Sequence, residues 1–131
     1  MLLFLVDASE PPNEADEEIA RVIKKAGNLT TILVLNKVDL LSPEELEQRR
    51  AAYEALDNFE EVMAISATTG YQRDELLQLV ISKLPRGPRF FPEDQITDMQ
   101  ERFIAAEIVR EKILELTHRE IPYATAVTVD S

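Results

Sequence analysis

Apolar and polar residues fall into alternating blocks along this chain. Residues 2–6 read Leu-Leu-Phe-Leu-Val and are closed by Asp7. An uninterrupted apolar run of this length predicts a strand buried on both faces. Such a strand wants a neighbour on each side, so a segment upstream of Met1 is expected. A helix is predicted over residues 13–26, with Ile19, Val22, Ile23 and Ala26 on one face and Gly27 at the C-terminal cap. The next apolar run, 31–35, is rich in β-branched and leucine residues and predicts a second strand. Ser42-Pro43-Glu44-Glu45 then opens a helix: Ser42 caps, Pro43 suits the first helical position and Glu45 completes a capping box. Leu46, Tyr53 and Leu56 are its inward positions. A third strand is predicted at 62–65 and a third helix at 73–84, with Leu76, Leu77, Val80 and Leu84 as the buried stripe. Strand, polar loop and helix thus recur in order. That order predicts an α/β fold, a three-layer parallel sheet joined by right-handed crossovers.

The pattern changes at Leu84-Pro85-Arg86-Gly87-Pro88, which ends the third helix and opens a linker over 85–98. A further helix is expected from Asp98 as cap, with Glu101 three residues on and Ala105, Val109, Ile113 and Leu116 on its apolar face. Ile121-Pro122 turns the chain into a last strand at 123–129. One helix and one strand cannot bury a core, so this second domain, 99–131, is expected to continue beyond Ser131. The expected organisation is therefore 1–84, a linker at 85–98, and 99–131.

Composition narrows the chemistry. Of 131 residues, 45% are hydrophobic and 30% charged, the balance of a folded globular chain. Cysteine is absent and His118 is the single histidine, which excludes disulfides, thiolate metal sites and histidine clusters. The net charge is −11, with −8 in residues 1–84 and −3 in 85–131. Neither part has the basic stripe of a protein drawn electrostatically to nucleic acid or anionic membrane. The apolar run at the start is too short to cross a membrane and lacks the flanks of a signal peptide.

In an open α/β sheet, ligands bind beyond the carboxyl ends of the strands. The polar residues at those ends are Asp7, Asn36-Lys37-Val38-Asp39 and Ser66-Ala67, and all three positions fall on one rim. Asn36-Lys37-x-Asp39 matches the N-K-x-D motif of the GTP-binding superfamily, and Ser66-Ala67 matches its last base-binding motif. The resemblance implies the roles. Guanine presents two adjacent donors, N1–H and the exocyclic amine, which the Asp39 carboxylate accepts together. Each such charge-assisted bond contributes roughly 1.5–3 kcal/mol. Adenine has an acceptor at N1 and would leave the carboxylate unpaired, a mismatch that polar sites reject by about 10⁴-fold or more. Asn36 would bond the base near N7 and tie its loop to its neighbours. Lys37 would lay its aliphatic stem across the purine face. The Ala67 N–H would donate to guanine O6, and Ser66 would hold the loop. Asn, Asp and Ser are also common loop and cap residues. What favours the functional reading is placement: each motif follows an apolar strand, one strand–helix unit apart. Asp7 is read as a structural residue at its strand end.

The later segments resemble a particular family. Leu84-Pro85-Arg86-Gly87-Pro88, then Phe91-Pro92-Glu93-Asp94-Gln95-Ile96-Thr97-Asp98, Glu101-Arg102-Phe103, Glu107-Ile108-Val109-Arg110-Glu111-Lys112 and Ile121-Pro122-Tyr123 look like the Era GTPases. The resemblance covers nearly the entire chain. It implies that residues 1–84 are half of a P-loop NTPase G domain and that 99–131 are the first helix and strand of an α+β KH-type domain, a fold that grips RNA with a G-x-x-G loop. It further implies a cytoplasmic, monomeric parent protein that binds GTP or GDP with Mg²⁺. That parent would bind the 3′ region of 16S rRNA and act in assembly of the 30S subunit. The family resemblance also extends to peripheral association with the inner face of the cell membrane.

Missing parts limit what these 131 residues do alone. No G-x-x-x-x-G-K-[ST] loop and no D-x-x-G occurs, and the only glycines are Gly27, Gly70 and Gly87. Nothing here cradles phosphates or ligates Mg²⁺, so no catalytic and no metal-binding residue is assigned, and the chain alone is expected to be inactive. Two alternatives stand beside the GTPase reading. One is a non-catalytic interaction module on a degenerate nucleotide fold. The other is a phospho-receiver centred on Asp7.

Overall fold

Strand β1 (Leu2–Asp7) pairs in parallel with β2 (Thr31–Asn36), and β2 pairs in parallel with β3 (Glu61–Ala64), in the spatial order β1-β2-β3. The computed structural model describes residues 1–27, 29–87, 101–117 and 127. It divides the chain into two units, Met1–Arg86 and Gly87–Ser131. In the first, helix α1 (Glu14–Lys25) links β1 to β2, and helix α2 (Pro43–Glu54) links β2 to β3. Helix α3 (Arg73–Lys83) follows β3. This is the expected three-layer α/β arrangement.

The two helical layers follow from the period-two alternation of β2. Leu33 and Leu35 join Phe4, Val6, Ala20, Ile23 and Tyr53 in one core, under α1 and α2. Ile32 and Val34 point the other way and pack with Ile65, Leu76 and Leu79, under α3. Every residue of 31–35 is buried. The center of the sheet is therefore the strand that the apolar pattern marks most continuously.

Local signals explain the helix ends. Asn13 Oδ1 accepts from the amides of Ala15 and Asp16, while Asp16 returns a bond to the Asn13 amide, a complete capping box. Ser42 and Glu45 form the second box, with Pro43 in the first turn. After α1, Gly27 takes φ +82°, the left-handed conformation that lets the chain leave the helix.

Four packing expectations need correction. First, β1 is not buried on both faces: Phe4 and Val6 are 5% and 4% exposed, but Leu3 and Leu5 are 44% and 60% exposed. Among the described residues β1 has a strand neighbour on one side only and is covered on one face. Second, α1 buries Ala20 and Ile23, while Ile19 and Val22 are exposed. Three strands with β1 at the edge offer too little sheet to cover the whole predicted stripe. Third, α3 packs through Leu76 and Leu79, leaving Leu77 and Leu84 exposed. Its apolar residues encircle the helix so closely that the sequence allows more than one stripe.

The fourth correction falls in the second unit, where helix α4 spans Glu101–Thr117. Its buried residue among those described is Ala106, whereas Ala105, Val109 and Leu116 are exposed and Ile113 is half-buried. Phe103, Ile104 and Ile108 add apolar positions around the helix, so its pattern again marks no single face. The predicted cap at Asp98, the linker beyond Gly87 and the strand at 123–129, save Val127, lie outside the described residues.

Candidate functional site

Parallel pairing brings the carboxyl ends of all three strands to one rim. Asp7 and Asn36 are register partners at the ends of β1 and β2. The ladder runs past the strand ends: the Ala8 amide donates to Asn36 O at 3.0 Å, Ile65 N to Leu35 O at 2.8 Å, and Val38 N to Ile65 O at 3.3 Å. The segments carrying Asn36–Asp39 and Ser66–Ala67 are thus fastened to each other by backbone bonds, as well as to the sheet.

Side chains reinforce that link. The Ala67 amide donates to Asn36 Oδ1 at 3.0 Å. Ser66 is fully buried, and its Oγ accepts from the Thr69 amide at 3.1 Å. The Ser66 amide donates to Tyr71 O, and its carbonyl accepts from the Gly70 amide. Gly70 sits at φ +80°, which closes this turn without a side-chain clash. Thr69, Gly70 and Tyr71 stand outside both base-binding motifs; the Thr-Thr-Gly triplet after Ser66-Ala67 is the turn signal that marks them.

Lys37 has φ +65° and ψ +30°, a left-handed conformation that costs a non-glycine residue about 1–2 kcal/mol. Strained residues of this kind concentrate at functional sites. The turn throws the chain into a short 3₁₀ segment, Val38–Leu40, with Asp39 at its centre. The Asp39 side chain is exposed and makes no hydrogen bond or ion pair among the described residues. A carboxylate facing water beside a rigid loop can accept two donors from a ligand.

The Lys37 ammonium lies 2.5 Å from Asp7 Oδ2. The other Asp7 oxygen accepts from the Ser9 amide at 3.0 Å and from Ser9 Oγ at 2.6 Å. Lys37 and then Ser9, by bonding the charged form, hold the Asp7 carboxyl below its ordinary pKa. Behind the rim, Tyr53 Oη lies 3.2 Å from Asp7 O and 3.4 Å from Asp16 Oδ2. Burial, with the nearby Asp16 charge, pushes the Tyr53 phenol up to about 12. It therefore stays protonated as a donor.

The structure thus brings Asn36, Lys37, Ser66 and Ala67 into one bonded cluster with Asp7, and Asp39 stands next to it on the same loop. A pocket of about 370 Å³ is lined by Asp39 and Ser66 together with Leu41, Leu46 and Tyr71, but not by Asn36, Lys37 or Ala67. The described residues contain no group of three or more His, Asp or Glu side chains placed to hold a metal ion. No described helix is long and apolar enough to cross a membrane.

Residues 1–86 match the elongation factor Tu GTP-binding domain family. GTPase Era of Geobacter metallireducens is 49% identical, and that of Geotalea daltonii 47%, each over the whole of this chain and 44% of the relative. The chain therefore spans less than half the length of these curated relatives. A crystal structure of Era in complex with MgGDPNP and nucleotides 1506–1542 of 16S ribosomal RNA superposes with a TM-score of 0.78. It is 38% identical and covers 99% of this chain and 44% of that one. An Aquifex aeolicus Era variant bound to GDP·AlF4⁻ gives 0.77 at 37% identity, again over 99% and 44% of the two chains. The chain belongs to the family of the elongation factor Tu GTP-binding domain, and along its whole length its relatives are Era GTPases.

Proposed function

We propose that this chain is the guanine-reading half of the G domain of an Era-type GTPase, followed by the opening of a KH-type domain. The observation that carries the reading is Asp39: an exposed carboxylate without a partner among the described residues, on a strained loop that is bonded to the loop of Ser66 and Ala67. Asp39 accepts the guanine N1–H and exocyclic amine. Ala67 N–H serves O6, for which it turns from Asn36 Oδ1 or is shared with it. Asn36 ties the two loops and reaches the base near N7. Lys37 covers the purine face with its stem, and Ser66 keeps its loop closed. The nucleotide, GTP or GDP, is held at its phosphates and Mg²⁺ by parts of the intact protein outside these 131 residues.

The domain reading is residues 1–84 as G domain, 85–98 as linker and 99–131 as the start of the KH-type domain. By the family likeness, and by the rRNA in the related Era complex, the intact protein binds the 3′ region of 16S rRNA and serves the 30S subunit. GTP hydrolysis is likewise assigned to the intact protein.

The test is Asp39→Asn in the intact GTPase. An amide donates where the carboxylate accepted, so selectivity should move from guanine to xanthine, whose 2-position is an acceptor. A preference ratio for GDP over XDP that stays as in the wild type refutes the role of Asp39. In the same assay the 131-residue chain alone should turn over no GTP above background.

A further inference from the structure

We propose that Asp7 is a positioning residue of the guanine site, whose carboxylate holds the Lys37 ammonium so that the lysine stem is set in place before the purine arrives. The inference rests on the guanine reading above and extends it to a residue that neither base-binding motif contains.

The two residues are thirty apart in sequence and meet only because β1 and β2 run parallel and in register. Asp7 is the fixed member. One carboxylate oxygen is engaged by the Ser9 amide and hydroxyl, the backbone carbonyl accepts from Tyr53, and the following amide bonds Asn36 O. Lys37 is the mobile type of side chain, four carbons long, on a backbone held in a left-handed turn.

The pair's value does not lie in the fold. Both side chains are about half exposed, 51% for Lys37 and 47% for Asp7, and exposed pairs contribute little to stability. Its value lies in entropy. A flexible lysine that must be ordered on binding weakens affinity, and ordering it beforehand recovers that loss. Anchoring the ammonium at its far end also leaves the apolar stem, not the charge, as the part available to a flat aromatic ligand.

The experiment measures GDP affinity and melting temperature of the intact GTPase by fluorescence titration and thermal unfolding. Asp7→Asn should weaken GDP binding roughly three- to tenfold with an unchanged melting temperature. Asp7→Glu should recover most of the loss. In a Lys37→Met background, Asp7→Asn should cost nothing further, because the ammonium it positions is gone. Ser9→Ala, which removes the hydroxyl donor and leaves the residue-9 amide on the same Asp7 oxygen, should give a smaller loss in the same direction and serves if Asp7→Asn folds poorly. The proposal is overturned if Asp7→Asn and Ser9→Ala leave affinity as it was, or if the Asp7→Asn loss adds in full to that of Lys37→Met. Asp39→Asn, run alongside, separates the two claims. A switch to XDP with no Asp7 effect leaves the guanine reading standing and removes this one.

Discussion

The Ala67 amide donates to Asn36 Oδ1 at 3.0 Å across thirty-one residues of sequence, so one side chain closes the gap between the loops that follow β2 and β3. Asn36→Ala removes this acceptor. A single neutral hydrogen bond at a half-exposed site is worth about 0.5–1 kcal/mol of stability. Guanine-nucleotide affinity should fall by more than that, since the loops lose the side-chain part of their fastening and keep the Val38 N–Ile65 O bond. Asn36→Asp keeps an acceptor oxygen and should stay close to wild type in stability. Denaturant unfolding and nucleotide titration of the three proteins check this; equal affinities for wild type and Asn36→Ala would count against a linking role.

Leu33 and Leu5 lie on neighbouring strands and have opposite surroundings, fully buried and 60% exposed. Leu33→Ala should destabilise the first unit by roughly 2–5 kcal/mol through lost transfer energy and a residual cavity. Leu5→Ala should change stability by only about 0.5 kcal/mol. Urea unfolding distinguishes them, and comparable losses at the two sites would mean that both faces of β1 are covered.

Acid should loosen the start of α2. The Glu45 carboxyl lies below its ordinary pKa because Ser42 bonds its charged form. A carboxyl whose folded pKa is depressed adds stability that is present above its unfolded pKa and is lost as pH falls through the lower folded value. Asp7 has the same sign through Lys37 and Ser9, but its pair with Lys37 is half exposed and adds little to stability. Melting temperature should therefore decline as pH drops below the ordinary carboxylate range, and Glu45→Gln should flatten part of that decline. Ser42→Ala should cost about 1 kcal/mol at neutral pH. A Glu45→Gln protein with the wild-type acid profile would contradict this assignment.

What could be read in advance was whatever short stretches of chain decide among themselves. The strand–helix order, the Ser42–Glu45 box and the cap at Gly27 all depend on residues within a few positions of one another, and the structure has them as expected. The candidate site was legible as two motifs for the same reason. The contacts between motifs were not. Lys37 meets Asp7, and Asn36 meets Ala67, only once three strands lie side by side. The left-handed turn at Lys37 is hidden because lysine does not advertise it. Helix faces failed where apolar residues were too many: α3 and α4 offer several possible stripes, and neighbours rather than periodicity choose among them.

Burial of β2 on both faces has an effect that reaches beyond packing. The Asn36–Asp39 loop continues from this strand, which has a partner strand along either side, and the Ser66–Ala67 loop is bonded to it through Ile65 N and Leu35 O. If the guanine reading holds, damage deep in the interior, at Ile32 or Leu35, would surface as blurred discrimination between bases, in a mutant whose Asn36, Lys37, Asp39, Ser66 and Ala67 are intact.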